Sequence, residues 1–154
     1  MSNYIFGIIA YQFCGEILPE QIFEKVVHSD PEILPELEEF IIGIAEKYNL
    51  DKNKFNNLVL SFSEAVSNSI VHGNKSDKNK KIFIKVKVDS EKMTITIKDQ
   101  GNGFELNSVP DPTKPENILK DSGRGIHIMK SFVDNLHYNF TSTGTEVILE
   151  INLK

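Results

Sequence analysis

Apolar residues recur at two different periods along this chain. Leu34, Leu37, Ile41, Ile44 and Tyr48 stand three or four positions apart, which places them on one stripe of a helix. The opposite face is acidic, with Glu36, Glu38 and Glu39. Asp30 reads as a helix cap with Pro31 at the first position, but Pro35 removes a backbone bond one turn in, so the regular helix is expected from Leu34. Asn49 to Asp51 breaks the pattern, and Asp51 caps a second helix whose stripe is Phe55, Leu58, Val59, Phe62, Val66 and Ile70. Gly73 reads as its terminating glycine.

Elsewhere the period falls to two. Ile82, Ile84, Val86 and Val88 alternate with Phe83, Lys85 and Lys87, and after a turn Met93, Ile95 and Ile97 alternate with Thr94, Thr96 and Lys98, which predicts a hairpin. Residues 23–29 predict a shorter strand with imperfect alternation. Residues 105–121 hold three prolines and no period, which predicts a long loop of the kind that usually carries function. A third helix then opens at Ser122-Gly123-Arg124-Gly125, with apolar positions Ile126, Met129, Phe132, Val133 and Leu136. Residues 136–140 and 145–153 predict a closing hairpin turned by T-S-T-G, with Val147, Leu149, Ile151 and Leu153 towards the core.

The order is strand, two helices, two strands, long loop, helix, two strands. That predicts an α+β, two-layer sandwich: a mainly antiparallel sheet covered on one face by three helices. Neither glycine motif reads G-x-G-x-x-G inside a parallel β-α-β unit, which excludes a doubly wound dinucleotide fold. The domain is expected over residues 23–154, after an N-terminal extension, residues 1–22. Within it, Tyr4 to Cys14 is apolar, but no Lys or Arg precedes it, and an extra strand or loosely packed extension is expected rather than an export signal.

Composition narrows the classes. The 154 residues are 40% hydrophobic and 25% charged, as in a single globular domain. A net charge of −5 disfavours a nucleic-acid partner. One cysteine, Cys14, excludes an intramolecular disulfide and fits a reducing cytoplasm. No apolar run is long enough to span a bilayer.

Three places carry candidate chemistry. Glu64 and Asn68 are four apart on the second helix, one turn from each other on the same side. A carboxylate there can take a proton from a nucleophile, and an amide oxygen can ligate a hard cation such as Mg²⁺. Asp99 continues the parity of Met93, Ile95 and Ile97, so it should point inward, which is costly unless something bonds it. Gly101 and Gly103 follow, allowing a sharp turn and close approach to a ligand. Gly123 and Gly125 stand at a helix start, where free N–H groups suit phosphates. His72 and His127 have no partners typical of a metal site and read as packing or surface residues.

In sequence order these are E-x-x-x-N on a helix, D-x-G-x-G after a strand, G-x-G opening a helix after a long loop, and G-T at the start of a late strand. Their conjunction, from Phe23 to Leu153, resembles the GHKL ATPase superfamily, with its histidine-kinase-like or Bergerat-type ATP-binding fold. The wording S-E-A-V-S-N-S-I-V-H-G and P-D-P-T-x-P-E-N before S-G-R-G-I is most similar to the anti-sigma-factor serine/threonine kinases. The resemblance implies ATP and Mg²⁺ as ligands. Asp99 would accept from the adenine amino group, assisted by Thr145; Gly101 and Gly103 would let the backbone pass close to the nucleotide. Asn68 would ligate Mg²⁺. Gly123, Arg124, Gly125 and Ile126 at the helix start would hold phosphates, with residues 105–121 as a lid. Glu64 would be the catalytic base. The implied activity is transfer of the ATP γ-phosphoryl to a Ser or Thr of a partner regulator, with a sigma factor and a homodimer among the implied associations. The alternative is a nucleotide-gated binding module with little or no kinase activity. The first helix here is acidic and carries no Arg, where the resemblance implies a basic residue that grips partners.

Overall fold

The computed structural model describes residues 19–105, 107, 109–117 and 123–154. The apolar stretch Tyr4 to Cys14 and the serine at 122 therefore lie outside the described residues. Among the described residues the elements are β1 (Gln21–His28), α1 (Leu34–Ala45), α2 (Lys52–Asn68), β2 (Lys81–Val88), β3 (Lys92–Lys98), α3 (Arg124–Phe132), β4 (Asn135–Thr141) and β5 (Gly144–Asn152). The strands form one sheet in the order β1-β2-β3-β5-β4, with every neighbouring pair antiparallel. The first strand begins at Gln21, two residues inside the span read as an extension.

The period-two segments bury one side each. Ile82, Ile84, Val86 and Val88 of β2, Met93, Ile95 and Ile97 of β3, and Val147, Leu149 and Ile151 of β5 are all buried. Against them pack Leu37, Ile41 and Ile44 of α1, Leu58, Phe62 and Val66 of α2, and Met129 of α3. This is the expected two-layer arrangement, with the hydrophobic face of the sheet removed from water by helices. The other face carries cross-strand ion pairs, including Lys85–Glu24 at 3.0 Å and Lys98–Glu146 at 3.5 Å.

The local signals behave as their chemistry requires. Asp30 caps a 3₁₀ turn, Pro31–Ile33, and α1 begins at Leu34, because Pro35 is tolerated only near a helix start. Asp51 Oδ1 accepts from the backbone N–H groups of Asn53 (2.9 Å) and Lys54 (3.0 Å), satisfying two orphan donors of α2.

Two local expectations are corrected. The third helix stops at Phe132; Val133 is extended and β4 starts at Asn135, so Leu136, read both as a helix position and as the start of the closing hairpin, belongs to the hairpin alone. And α2 does not end in a left-handed glycine. It runs into a π turn, Ser69–Gly73, closed by the Asn74 N–H on the Ser69 carbonyl at 2.8 Å, and Gly73 is not among the residues with positive φ. Left-handed backbone falls instead on Lys75 (φ 58°) and Ser76 (φ 54°).

Candidate nucleotide site

A cavity of about 430 Å³ opens between α2, α3 and the ends of β3 and β5, within the size range of small-molecule sites. Of the ten residues singled out from sequence, eight line it: Glu64, Asn68, Asp99, Gly103, Gly123, Gly125, Ile126 and Thr145. Gly101 and Arg124 do not. Gly101 lies just behind the lining, and Arg124 is exposed at the first position of α3.

Asp99 follows the last residue of β3 and is 4% exposed, so the parity reading holds. Its burial is compensated in part by backbone: Oδ1 accepts from Gly101 N–H at 2.8 Å and Thr145 N–H at 3.1 Å. The Asp99 N–H in turn donates to the Thr145 carbonyl at 3.0 Å. These bonds fix the carboxylate while Oδ2 faces Gly73, where a Cβ would collide with it. Close approach, rather than left-handed backbone, is therefore why Gly73 is a glycine. Gly101 answers the same need, since a Cβ there would strike the Gly73 carbonyl. Gly103, with φ 78°, needs glycine for its backbone.

Thr145 is 4% exposed, and its hydroxyl has no hydrogen-bond partner among the described residues. Such a group is costly unless a ligand completes it. A fixed carboxylate beside an unsatisfied hydroxyl, both on a cavity, is an arrangement made for a polar ligand edge.

The other end is built from α2 and α3. Glu64 and Asn68 are half-buried, and neither makes a hydrogen bond or ion pair to any described residue. The Glu64 carboxylate lies against Gly125 so closely that a Cβ there would overlap it. Gly123 caps α3 with φ 90° and packs against the Pro110 carbonyl, so the described part of the long loop reaches the start of this helix. Val109 and Pro110 line the cavity too. Farther along the same loop, Asp111 Oδ1 accepts from the Thr113 N–H at 2.9 Å, and Asn117 Nδ2 donates to the Asp111 carbonyl at 2.8 Å.

A magnesium ion fits this donor set in chemistry. Mg²⁺ prefers oxygen ligands and keeps several waters, so the amide oxygen of Asn68, half-buried on the cavity, is the kind of single protein ligand it takes. No group of three or more His, Cys, Asp or Glu able to hold a metal occurs among the described residues.

Sequence reasoning missed several lining residues: His72, Lys75, Phe104, Tyr138 and Val147. His72, read as packing or surface, is exposed at the cavity; His127 is exposed outside it. Tyr138 shares the inward parity of Leu136 and Phe140 and pairs across β4–β5 with Val147, a signal present in the pattern of β4. Burial pushes its phenol pKa up, and the Glu64 carboxylate pushes it the same way, so the phenol is protonated at neutral pH.

The chain belongs to the histidine kinase-like ATPase domain family, which matches residues 27–151. It is 37% identical over 93 residues to an anti-sigma F factor of Clostridium perfringens (strain SM101), covering 57% of this chain and 65% of that protein. The alignment thus spans less than two thirds of that relative's length. It is 23% identical over 119 residues to serine-protein kinase RsbW of Bacillus subtilis (strain 168), covering 73% and 74%. A Mycobacterium tuberculosis structure of RsbU and RsbW domains superposes with a TM-score of 0.63 at 13% identity, over 85% of this chain and 32% of that one, which shows a shared fold. No helix among the described residues is long and apolar enough to cross a membrane.

Proposed function

We propose that this protein is an ATP-dependent protein serine/threonine kinase that acts as an anti-sigma factor or related switch regulator in the cytoplasm. The observation that carries the reading is the pairing of Asp99 with the unsatisfied Thr145 hydroxyl at one end of a cavity whose other end holds Glu64 and Asn68. Asp99 Oδ2 accepts the adenine amino group and Thr145 assists it. Gly101 and Gly103 keep the floor low enough for the base. The first turn of α3, from Gly123 through Arg124, Gly125 and Ile126, turns the positive end of the helix towards the phosphates. Asn68 holds magnesium, which when bound neutralises phosphate charge. Glu64 removes the proton from the acceptor hydroxyl of a partner regulator as the γ-phosphoryl is transferred. Because phosphoryl transfer is chiefly positioning and charge stabilisation, one base on a rigid helix suffices. Glu64 lines the cavity and makes no hydrogen bond or ion pair to any described residue, which leaves its carboxylate open to the acceptor hydroxyl. The names of the relatives, an anti-sigma F factor and a serine-protein kinase, support a sigma factor and a serine-bearing protein as partners.

The test is transfer of label from γ-labelled Mg-ATP to regulator domains carrying an acceptor serine. Glu64→Gln is expected to lower transfer at least 100-fold, the scale of a lost general base, while ATP still binds. ATP binding without transfer by the wild-type protein, across such regulators, would favour the nucleotide-gated binding module.

A further inference from the structure

Tyr138 has no role in the functional reading above, yet its surroundings are those of a ligand wall. It lines the cavity together with Val147, its cross-strand partner, and Thr145 is two residues before Val147 on β5. Phe104, the residue after Gly103, meets the Tyr138 ring edge-on at 5.3 Å between centroids. Phe140 backs both, edge-on to Phe104 at 5.4 Å and stacked with Tyr138 at 6.2 Å, 11° from parallel. Two rings thus line the cavity and a third braces them from the solvent side. Tyr138 is half-buried, and its phenol makes no hydrogen bond to any described residue. The wall adjoins Thr145 through Gly103, where an added Cβ would meet the Phe140 ring and come near the Thr145 hydroxyl.

We propose that Tyr138, braced by Phe104 and Phe140, is a nucleotide-binding residue whose ring packs against the base and sugar of the bound nucleotide. This rests on the nucleotide-site reading above. Aromatic contact suits a flat purine and adds affinity that is independent of the phosphates.

The experiment titrates adenosine and ADP separately into the full chain, comparing wild type, Tyr138→Leu, Tyr138→Phe and Phe104→Leu, with melting curves for each. Tyr138→Leu is expected to weaken adenosine and ADP by the same factor, roughly tenfold. Tyr138→Phe keeps the ring and is expected to stay within about threefold of wild type. Phe104→Leu repeats the Tyr138→Leu pattern more weakly, and it serves as the second probe should Tyr138→Leu fail to fold. A merely structural role would lower the melting temperature without this equal loss for the two ligands. Adenosine affinity unchanged in folded leucine variants would overturn the inference. So would a loss for ADP alone, or a Tyr138→Phe loss as large as that of Tyr138→Leu. If wild-type protein binds neither ligand, the nucleotide-site reading fails instead.

Discussion

Thr145 holds the clearest energetic imbalance in the site. Its hydroxyl is buried without a partner among the described residues, so it is a desolvated group that none of them offsets. Replacing it by the near-isosteric valine removes that cost. Thr145→Val is therefore expected to leave the melting temperature unchanged or slightly raised, while ATP binding weakens about threefold to tenfold, the scale of one neutral hydrogen bond. Calorimetric titration alongside thermal melts checks both signs at once. Asp99 differs, because its Oδ1 is already satisfied by two backbone donors and only Oδ2 remains for a ligand. Its inward placement was legible from parity with Met93, Ile95 and Ile97. Its need for Gly73 was not, since that contact joins positions far apart in sequence.

At the scale of elements, the π turn after α2 shapes the cavity wall and depends on one side chain. Asn74 is fully buried; its Nδ2 donates to the Lys81 carbonyl at 3.0 Å and its Oδ1 accepts from the Gln100 N–H at 2.7 Å. It thereby ties the end of α2 to the start of β2 and to the loop after β3. Asn74→Ala leaves both backbone groups unpaired and is expected to cost about 2–3 kcal/mol in chemical denaturation. Nothing in the sequence pattern showed this device: Ser69 to Gly73 continues a helical stripe, and Asn74 reads as an ordinary loop residue. Helix and strand identities were legible because burial imposes the periods 3.6 and 2. The π turn, the early stop of α3 and the aromatic wall come from contacts between elements, which no period records.

The sheet offers a pH-dependent test. The Lys92 ammonium donates to Glu150 at 2.6 Å, bridging β3 and β5, and this bond holds the Glu150 carboxyl below its ordinary value. A lowered folded pKa stabilises fully above the unfolded carboxylate pKa, and that contribution is lost as pH falls through the folded value. Glu150→Gln is thus expected to melt below wild type at neutral pH. The gap should close in acid below the carboxylate range, as followed by melting curves from pH 7 downward.

For the whole molecule, the described residues form an α+β sandwich with an opening between its layers, where the proposed nucleotide would bind. The strand ends supply Asp99 and Thr145, α2 supplies Glu64 and Asn68, and α3 brings its N-terminus to the same space. Motif order along the chain made most of this constellation legible, because each motif sits at an element boundary and the topology gathers those boundaries. The most direct test of the account is calorimetric titration of Mg-ATP into the full chain and its Asp99→Asn variant. Asparagine can still accept from Gly101 and Thr145 but presents a donor where Oδ2 offers only an acceptor. The account predicts one ATP per chain for the wild type, with affinity falling about tenfold to 100-fold in the variant, the scale of a lost bond to a charged group, and little change in melting temperature. Wild-type protein that binds no ATP, or a variant that binds it as tightly, would contradict it.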